Sequence, residues 1–405
     1  MEIPYFIAML GYRVDCHEHQ SMHILGLIFF GTIAFFWLSH GLRVAIGAAR
    51  LPWLRDHPPA QNEDCPSVSV LFAARDEDQK LPEALSTLLQ LDYPELEIVA
   101  VDDRSSDETG NILEDAAKRD PRLKVVHIEK LPEGWLGKPH ALQHGYEVSN
   151  GEWLLFTDAD VRFLPDTIRR AITLARTKQL DHLTLMCEVQ MHGFWEKTVL
   201  TFFGLGFHLA TDPHGVSKPG SRHYVGIGAF QLVKRAAYEA SGTHRRLAME
   251  VLDDMKLAKI IKQGGFRSGV GVARDFVSVR WHSGLRNIVS GVTKNFFAAA
   301  GFRLSIVALQ LFGIVCANIV PFLAWPLVHG WMLGFVAVSL TIAVGFHAGA
   351  AMVMRASPLY ALTQPIGAAI FAYMLLRSTV VTLRQGGIVW RETFYPLEKL
   401  RRGLV

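Results

Sequence analysis

The chain has 405 residues, of which 50% are hydrophobic and only 20% charged, with a net charge of +3 and a mean hydropathy of +0.20. This is too apolar for an ordinary soluble protein, and the excess sits at the two ends, leaving between them room for one domain of roughly 200 to 250 residues. The charge is too small and too dispersed for a nucleic-acid partner, and the scattered Cys16, Cys65, Cys187 and Cys316, with no Cys-x-x-Cys, argue against zinc and disulfides.

Ile24 to Leu42 carries almost no charge and is about long enough to cross a bilayer as a helix, which takes roughly 20 apolar residues. Arg43, Arg50 and Arg55 follow it, whereas Glu2, Asp15 and Glu18 outweigh Arg13 before it. The positive-inside rule therefore predicts an extracytoplasmic segment over 1–23, an anchor over 24–42 and a cytoplasmic chain over 43–284. The charge lies on the wrong flank, and the apolar run starts too late, for a cleaved signal peptide. Pro52, Pro58, Pro59 and Pro66 mark a linker into the middle domain.

Strand-like and helix-like patterns then alternate, which predicts an α/β domain with a mainly parallel sheet. Ser67 to Phe72, Leu96 to Val101, Leu123 to Ile128 and Trp153 to Thr157 read as strands, and Asp78 to Gln90 as a helix with Leu81, Leu85, Leu88 and Leu89 on one face. Polar clusters follow the strands: Arg75 and Glu77, then Asp102 and Asp103, then Asp158 and Asp160. In such sheets ligands bind beyond the carboxyl ends of the strands. Two carboxylates at a strand tip suit a hard divalent cation, although Asp-x-Asp also occurs in turns and helix N-caps. Lys138 follows Gly137 at the expected start of a helix to about Val148, where an ammonium group and backbone N–H groups can face a diphosphate; a solvated lysine is the ordinary alternative. Asp253 and Asp254 stand at the start of a helix over 255–263, where a general base and a cap are both compatible with the pattern.

Phe194 to Ala210 and 285–303 are candidates for interfacial segments, the second carrying Arg286 and Lys294 among Phe296 and Phe297. Three apolar stretches close the chain within 304–383: Leu304 to Val328, Trp331 to Met354 and Leu359 to Leu383, the last interrupted by Pro365 and Arg377. Three crossings would put the basic tail over 384–405 outside. Either one stretch is re-entrant or interfacial, or the charge rule fails here.

The ordered set Ala73-Ala-Arg-Asp-Glu77, Val101-Asp-Asp-Arg-Ser-Ser-Asp107, Gly134-Trp-Leu-Gly-Lys-Pro-His-Ala-Leu142, Thr157-Asp-Ala-Asp160, Asp253-Asp254 and Arg280-Trp281 resembles the family 2 glycosyltransferases of GT-A fold. Within that family it is most similar to the membrane-bound branch that includes ceramide glucosyltransferase-like and hopanoid-associated enzymes. The resemblance runs from about Pro66 to Arg303, with a weaker echo at Trp390-Arg-Glu-Thr-Phe-Tyr395. It implies an inverting, metal-dependent transfer of a sugar from a UDP-sugar to a lipid acceptor at the cytoplasmic membrane face. By the same resemblance Asp103 would bind uracil with Arg75 and Glu77 framing the base. Lys138 would meet the diphosphate, Asp160 would ligate Mg²⁺ or Mn²⁺, and Asp158 would contact the metal, sugar or ribose. Asp254 would be the base with Asp253 beside it, and Arg280 and Trp281 would lie near acceptor and diphosphate. The chain departs from the family at Val277, where Gln or Arg is usual, at Asp76, where many relatives have Asn, and at Glu392, where Gly is common. Other readings are a processive polysaccharide synthase, for which four or so spans make a poor channel, and an inactive membrane scaffold that has kept the fold.

Overall fold

The structure, a computed structural model, describes residues 16–218 and 220–405. Most of the expected extracytoplasmic segment, residues 1–15, lies outside the described residues. The middle of the chain forms strands Val68–Ala74 (β1), Leu96–Asp103 (β2), Leu123–Ile128 (β3), Trp153–Asp158 (β4), Val161–Phe163 (β5), His182–Met186 (β6), Glu188–Val189 (β7), Gln231–Lys234 (β8), Ser268–Val272 (β9) and Val277–Val279 (β10).

Seven of these make the central sheet in the order β3-β2-β1-β4-β8-β6-β9. Pairing is parallel from β3 through β4 and again between β6 and β9, while β8 runs antiparallel to both β4 and β6. The continuous apolar runs in the sequence have a simple cause. Val68, Val70, Phe72, Ile98, Ala100 and Leu155 face one core and Leu71, Val99, Val101, Leu154 and Phe156 the other, so helices cover both faces. Burying each of the Val, Leu, Ile and Phe side chains contributes about 1.5–3 kcal/mol, which holds the strand register firmly. A smaller sheet, β5-β10-β7, flanks the end of β4.

The N-terminal helix Cys16–Ala48 includes the expected anchor. It runs beside Gly330–Val353 in the same direction, Gly26, Gly31 and Gly41 letting Met332, Phe335 and Phe346 approach closely. The first C-terminal stretch is not one helix but Leu304–Asn318 followed by Val320–Ala324, with Pro321 in the first turn of the second piece. The third becomes a 3₁₀ turn, Pro358–Thr363, and a helix, Gln364–Gln385, with Pro365 in its first turn, where a missing N–H leaves no bond unmade. Polar links tie the helices together: Gln364 Nε2 donates to Asn318 Oδ1 (3.0 Å), Trp37 Nε1 donates to the Ala317 carbonyl (3.0 Å), and Thr201 Oγ1 lies 3.0 Å from His347 Nε2.

Both ends of the last apolar segment rest on the sheet domain. At its start Arg355 pairs with Asp275 and with Glu188 (3.0 Å), and Arg274 donates to the Val353 carbonyl (2.9 Å). After its end a hairpin of Gly387–Trp390 (β11) and Thr393–Pro396 (β12) brings Arg391 onto Glu77 (2.6 Å), and Lys256 and Lys259 donate to the Val405 carbonyl (2.6 and 2.7 Å). The chain that enters the apolar layer after Val353 thus returns to the side it left.

Two of the departures from the family fall on left-handed backbone. Asp76 has φ 51° and Glu392 φ 64°. Asn and Gly are the residue types that tolerate this region best, and they are what the resemblance leads one to expect at these two positions. Glu392→Gly is expected to stabilise the hairpin by about 0.5–1 kcal/mol, the relief of left-handed strain less the added freedom of glycine in the unfolded chain. A thermal melt in detergent measures it, and a lowered midpoint would contradict the strain.

Candidate active site

The site is built where β4 ends and the helix Asp253–Gln263 begins. Lys138, in the first turn of Gly137–Glu147, donates to Asp158 Oδ1 at 2.5 Å and stands 3.9 Å from Asp253 Oδ2. Asp254 is pinned by the backbone: Met255 N–H donates to Oδ1 (2.7 Å) and Gly228 N–H to Oδ2 (3.1 Å). Lys138, Asp253 and Asp254 line a cavity of about 10 Å³ with Thr157, Gly228 and Gln231, roughly the space of one water. A side chain at Gly228 would meet the Asp158 carboxylate, so glycine lets the loop before β8 close on the site without displacing that group.

Burial raises the pKa of both Asp253 and Asp254, and Lys138 opposes the shift. Burial works against the charge of Lys138 too, but Asp158, Asp253 and Asp254 outweigh it and raise its pKa. The cation and the carboxylates therefore hold one another ionised in a place where each alone would be costly.

Asp160 lies one turn further on and pairs with Lys80 (2.9 Å). Asp103 accepts from Arg104 Nε (2.7 Å) and Nη2 (3.0 Å), which leaves further lone pairs on the carboxylate for a ligand N–H. Asp102 instead binds His127 Nδ1 (3.0 Å) and the Ser105 N–H (3.2 Å), a structural role. Arg75 Nε is buried without a hydrogen-bond partner among the described residues, 3.8 Å from Asp76 Oδ2. Glu77 is held by Arg391 of the C-terminal hairpin.

Lys138, Asp158, Asp253 and Asp254 therefore come together, with Asp160 beside them and Arg75, Glu77 and Asp103 on the adjoining strand ends. Arg280 and Trp281 do not join the cluster. Arg280 donates to Ser283 Oγ (2.8 Å) and pairs with Glu196 (3.3 Å), while the Trp281 ring lies 5.2 Å from Phe203. The reason is Glu196: buried at the start of the helix Gly193–Thr211, it needs a cation and takes Arg280, together with the N–H groups of His192 and Gly284 (both 2.6 Å). That helix packs against Gln364–Gln385 and Gly330–Val353, so it joins the sheet domain to the apolar layer, with Phe194 and Trp195 exposed at its start.

Two lysines were not singled out as site residues by the sequence pattern. Lys80 has no motif around it. Lys294 reads as an interfacial cation but is drawn inward, its ammonium 3.6 Å from the centre of the Trp390 ring; burial and the neighbouring Lys138 lower its pKa to about 8.

Residues 69–241 match the model of the family described as Glycosyl transferase family 2. The chain carries a family 2 glycosyltransferase domain. The chain is 24% identical over 245 residues to 4,4'-diaponeurosporenoate glycosyltransferase of Staphylococcus haemolyticus, covering 59% of this chain and 64% of that protein. It is 24% identical over 244 residues to beta-monoglucosyldiacylglycerol synthase of Trichormus variabilis, covering 57% of this chain and 51% of that protein. The alignments thus span about two thirds and half the length of these relatives. Among solved structures it is similar to a mannosyltransferase from Pyrobaculum calidifontis in complex with GDP-Man and Mn²⁺, with a TM-score of 0.54 and 19% identity over 89% of this chain and 99% of that one. The chain has the GT-A fold, with its mostly parallel central sheet, and among the described residues four helices are long and apolar enough to cross a membrane.

Proposed function

We propose that this glycosyltransferase moves a sugar from a UDP-sugar to the hydroxyl of a lipid, with inversion at the anomeric carbon, at the cytoplasmic face of a membrane. The observation that carries this reading is the cluster of Lys138, Asp158, Asp253 and Asp254 at the carboxyl ends of the strands, joined through the helix Gly193–Thr211 to the apolar helices. Relatives named for 4,4'-diaponeurosporenoate and for monoglucosyldiacylglycerol support a lipid substrate. Arg75, Glu77 and Asp103 are the groups for the base, and the unpartnered Nε of Arg75 is a donor awaiting an acceptor there. Trp281, with Phe203 and Phe371, offers an aromatic surface to an apolar acceptor where the sheet domain meets the apolar helices.

Asp158 and Asp160 fit a divalent cation. Among the described residues no three His, Cys, Asp or Glu converge to cage an ion, but Mg²⁺ and Mn²⁺ bound with nucleotides take one or two carboxylates and complete their shell with phosphate and water. The ion would neutralise charge on the departing diphosphate. The chain's own groups do the rest: Lys138 holds the carboxylates ionised, and Asp254, fixed by two backbone N–H groups, takes the proton of the acceptor hydroxyl. Purified protein in detergent, given Mn²⁺, a panel of UDP-sugars and a membrane lipid extract, is expected to form a glycolipid. Donor binding with no transfer to any lipid would refute the assignment.

The same reading places the catalytic domain and the basic tail together in the cytoplasm, with three crossings and residues 354–386 as a re-entrant segment. Arg43, Arg50 and Arg55 then lie on the same side as the tail, as the positive-inside rule requires. Single cysteines at 358 and 398, on either side of this segment, are expected to react with an impermeant maleimide from the same face of the membrane; labelling from opposite faces would refute the re-entrant path.

A further inference from the structure

Lys294 sits in the turn between the helices Gly284–Gly291 and Asn295–Ala299, outside the stretch matched by the family. The other cations around the site each have a carboxylate: Lys80 has Asp160 (2.9 Å), Lys138 has Asp158 (2.5 Å), Arg104 has Asp103 (2.7 Å) and Arg391 has Glu77 (2.6 Å). Lys294 forms no hydrogen bond or ion pair with any described residue. Its ammonium lies against the Trp390 ring at 3.6 Å from the centroid, and its three N–H donors are unengaged.

Its position is fixed from two sides. On one side Trp390, whose ring the ammonium covers, precedes Arg391, which pairs with Glu77 just beyond β1 (2.6 Å), and the charges of Asp158, Asp253, Asp254 and Lys138 act on Lys294. On the other, the His282 ring packs against Gly291, one turn before Lys294. A half-buried cation without a direct counter-ion is unfavourable unless an anion completes it. At a site whose carboxylates fit a divalent cation, the anion that arrives during the reaction is the diphosphate.

We propose that Lys294 binds the diphosphate of the nucleotide-sugar donor and stabilises the departing nucleoside diphosphate, a catalytic group supplied by the membrane-proximal segment and positioned by Trp390 of the C-terminal hairpin. This rests on the donor reading above. In the step concerned, the bond from the anomeric carbon to the β-phosphate oxygen breaks and its electron pair goes to that oxygen. The acceptor oxygen bonds to the carbon and its proton goes to Asp254. Lys294 keeps its own proton and pairs with the new negative charge on the phosphate. Trp390 acts through Lys294 and is a positioning residue: the ring fixes where the ammonium stands.

Calorimetry on the detergent-solubilised full chain with Mn²⁺, using UDP, UMP, GDP and GMP, separates the contribution of the second phosphate. Lys294→Met is expected to weaken the diphosphate by about tenfold or more, the usual consequence of losing a charge-assisted contact, while the monophosphate changes by less than about twofold. Retained monophosphate binding also shows that the variant is folded. Lys294→Arg is expected to keep most of the diphosphate preference, and Trp390→Leu to lose part of it, so a test remains even if the Met variant does not fold. A steady-state assay adds a fall in kcat for Lys294→Met that excess donor does not restore. Equal weakening of mono- and diphosphate, or no weakening of either, would overturn the assignment of Lys294. Wild-type protein that binds none of the four nucleotides would overturn the donor reading itself, which is a separate outcome.

Discussion

Asp254→Asn is expected to lower sugar transfer by about 10²–10⁴-fold, the range lost when a positioned general base is removed, while donor binding stays close to that of the wild type. The substitution is nearly isosteric. One amide oxygen can still accept from the Met255 or the Gly228 N–H, but the NH₂ group replaces the other acceptor and no group remains to take the proton. The pH dependence carries a second sign. Burial raises both Asp253 and Asp254, with Lys138 opposing, so the pair is protonated at higher pH than ordinary carboxylates. Below the pair's apparent pKa the base carries its proton and is inactive; as pH rises through it, kcat/KM rises. The acid limb should therefore lie above the usual aspartate value of about 3.9, and Lys138→Met should move it further up by removing the cation that favours the charged form. A limb that Lys138→Met shifts downward would contradict the cluster's electrostatics.

Much of this arrangement is legible in the sequence because it is local. β1 to β4 announce themselves as apolar runs since parallel strands are buried on both faces, and their polar ends mark the binding edge without any tertiary knowledge. The helix starts at Gly137 and Asp253 are likewise local. What the sequence hides is pairing at a distance. Lys80 meets Asp160 across 80 positions, and Arg391 meets Glu77 across 314. Neither cation has a neighbour in sequence that betrays its partner. Arg280 reads as a site residue from its motif, yet a buried Glu196, itself unmarked in an aromatic-rich helix, claims it. Lys294 shows the converse: among phenylalanines it reads as a membrane-surface cation, because composition cannot say on which side of the helix turn the acids lie. The return of residues 354–386 to the sheet domain is equally invisible to hydropathy, since a re-entrant segment and a crossing are alike in composition.

Removing divalent metal with EDTA is expected to abolish transfer, and Mn²⁺ or Mg²⁺ to restore it, whereas Asp160→Ala should stay inactive at any metal concentration. The structure allows this loss to be told apart from a loss of stability. The Lys80 side chain is 49% exposed, so the Lys80–Asp160 pair is a solvent-screened bridge, worth about 0–1 kcal/mol. Breaking it from either end should therefore leave the melting temperature nearly unchanged. The two ends differ in chemistry: Lys80→Ala removes the counter-ion but leaves the carboxylate free for the metal, while Asp160→Ala removes the ligand. If Asp160 is a metal ligand, Lys80→Ala keeps most of its activity and binds Mn²⁺ at least as tightly as the wild type, and Asp160→Ala does neither. If the pair were only structural, the two variants would behave alike in activity, metal affinity and melting, and that equality is the result that would remove the metal from Asp160.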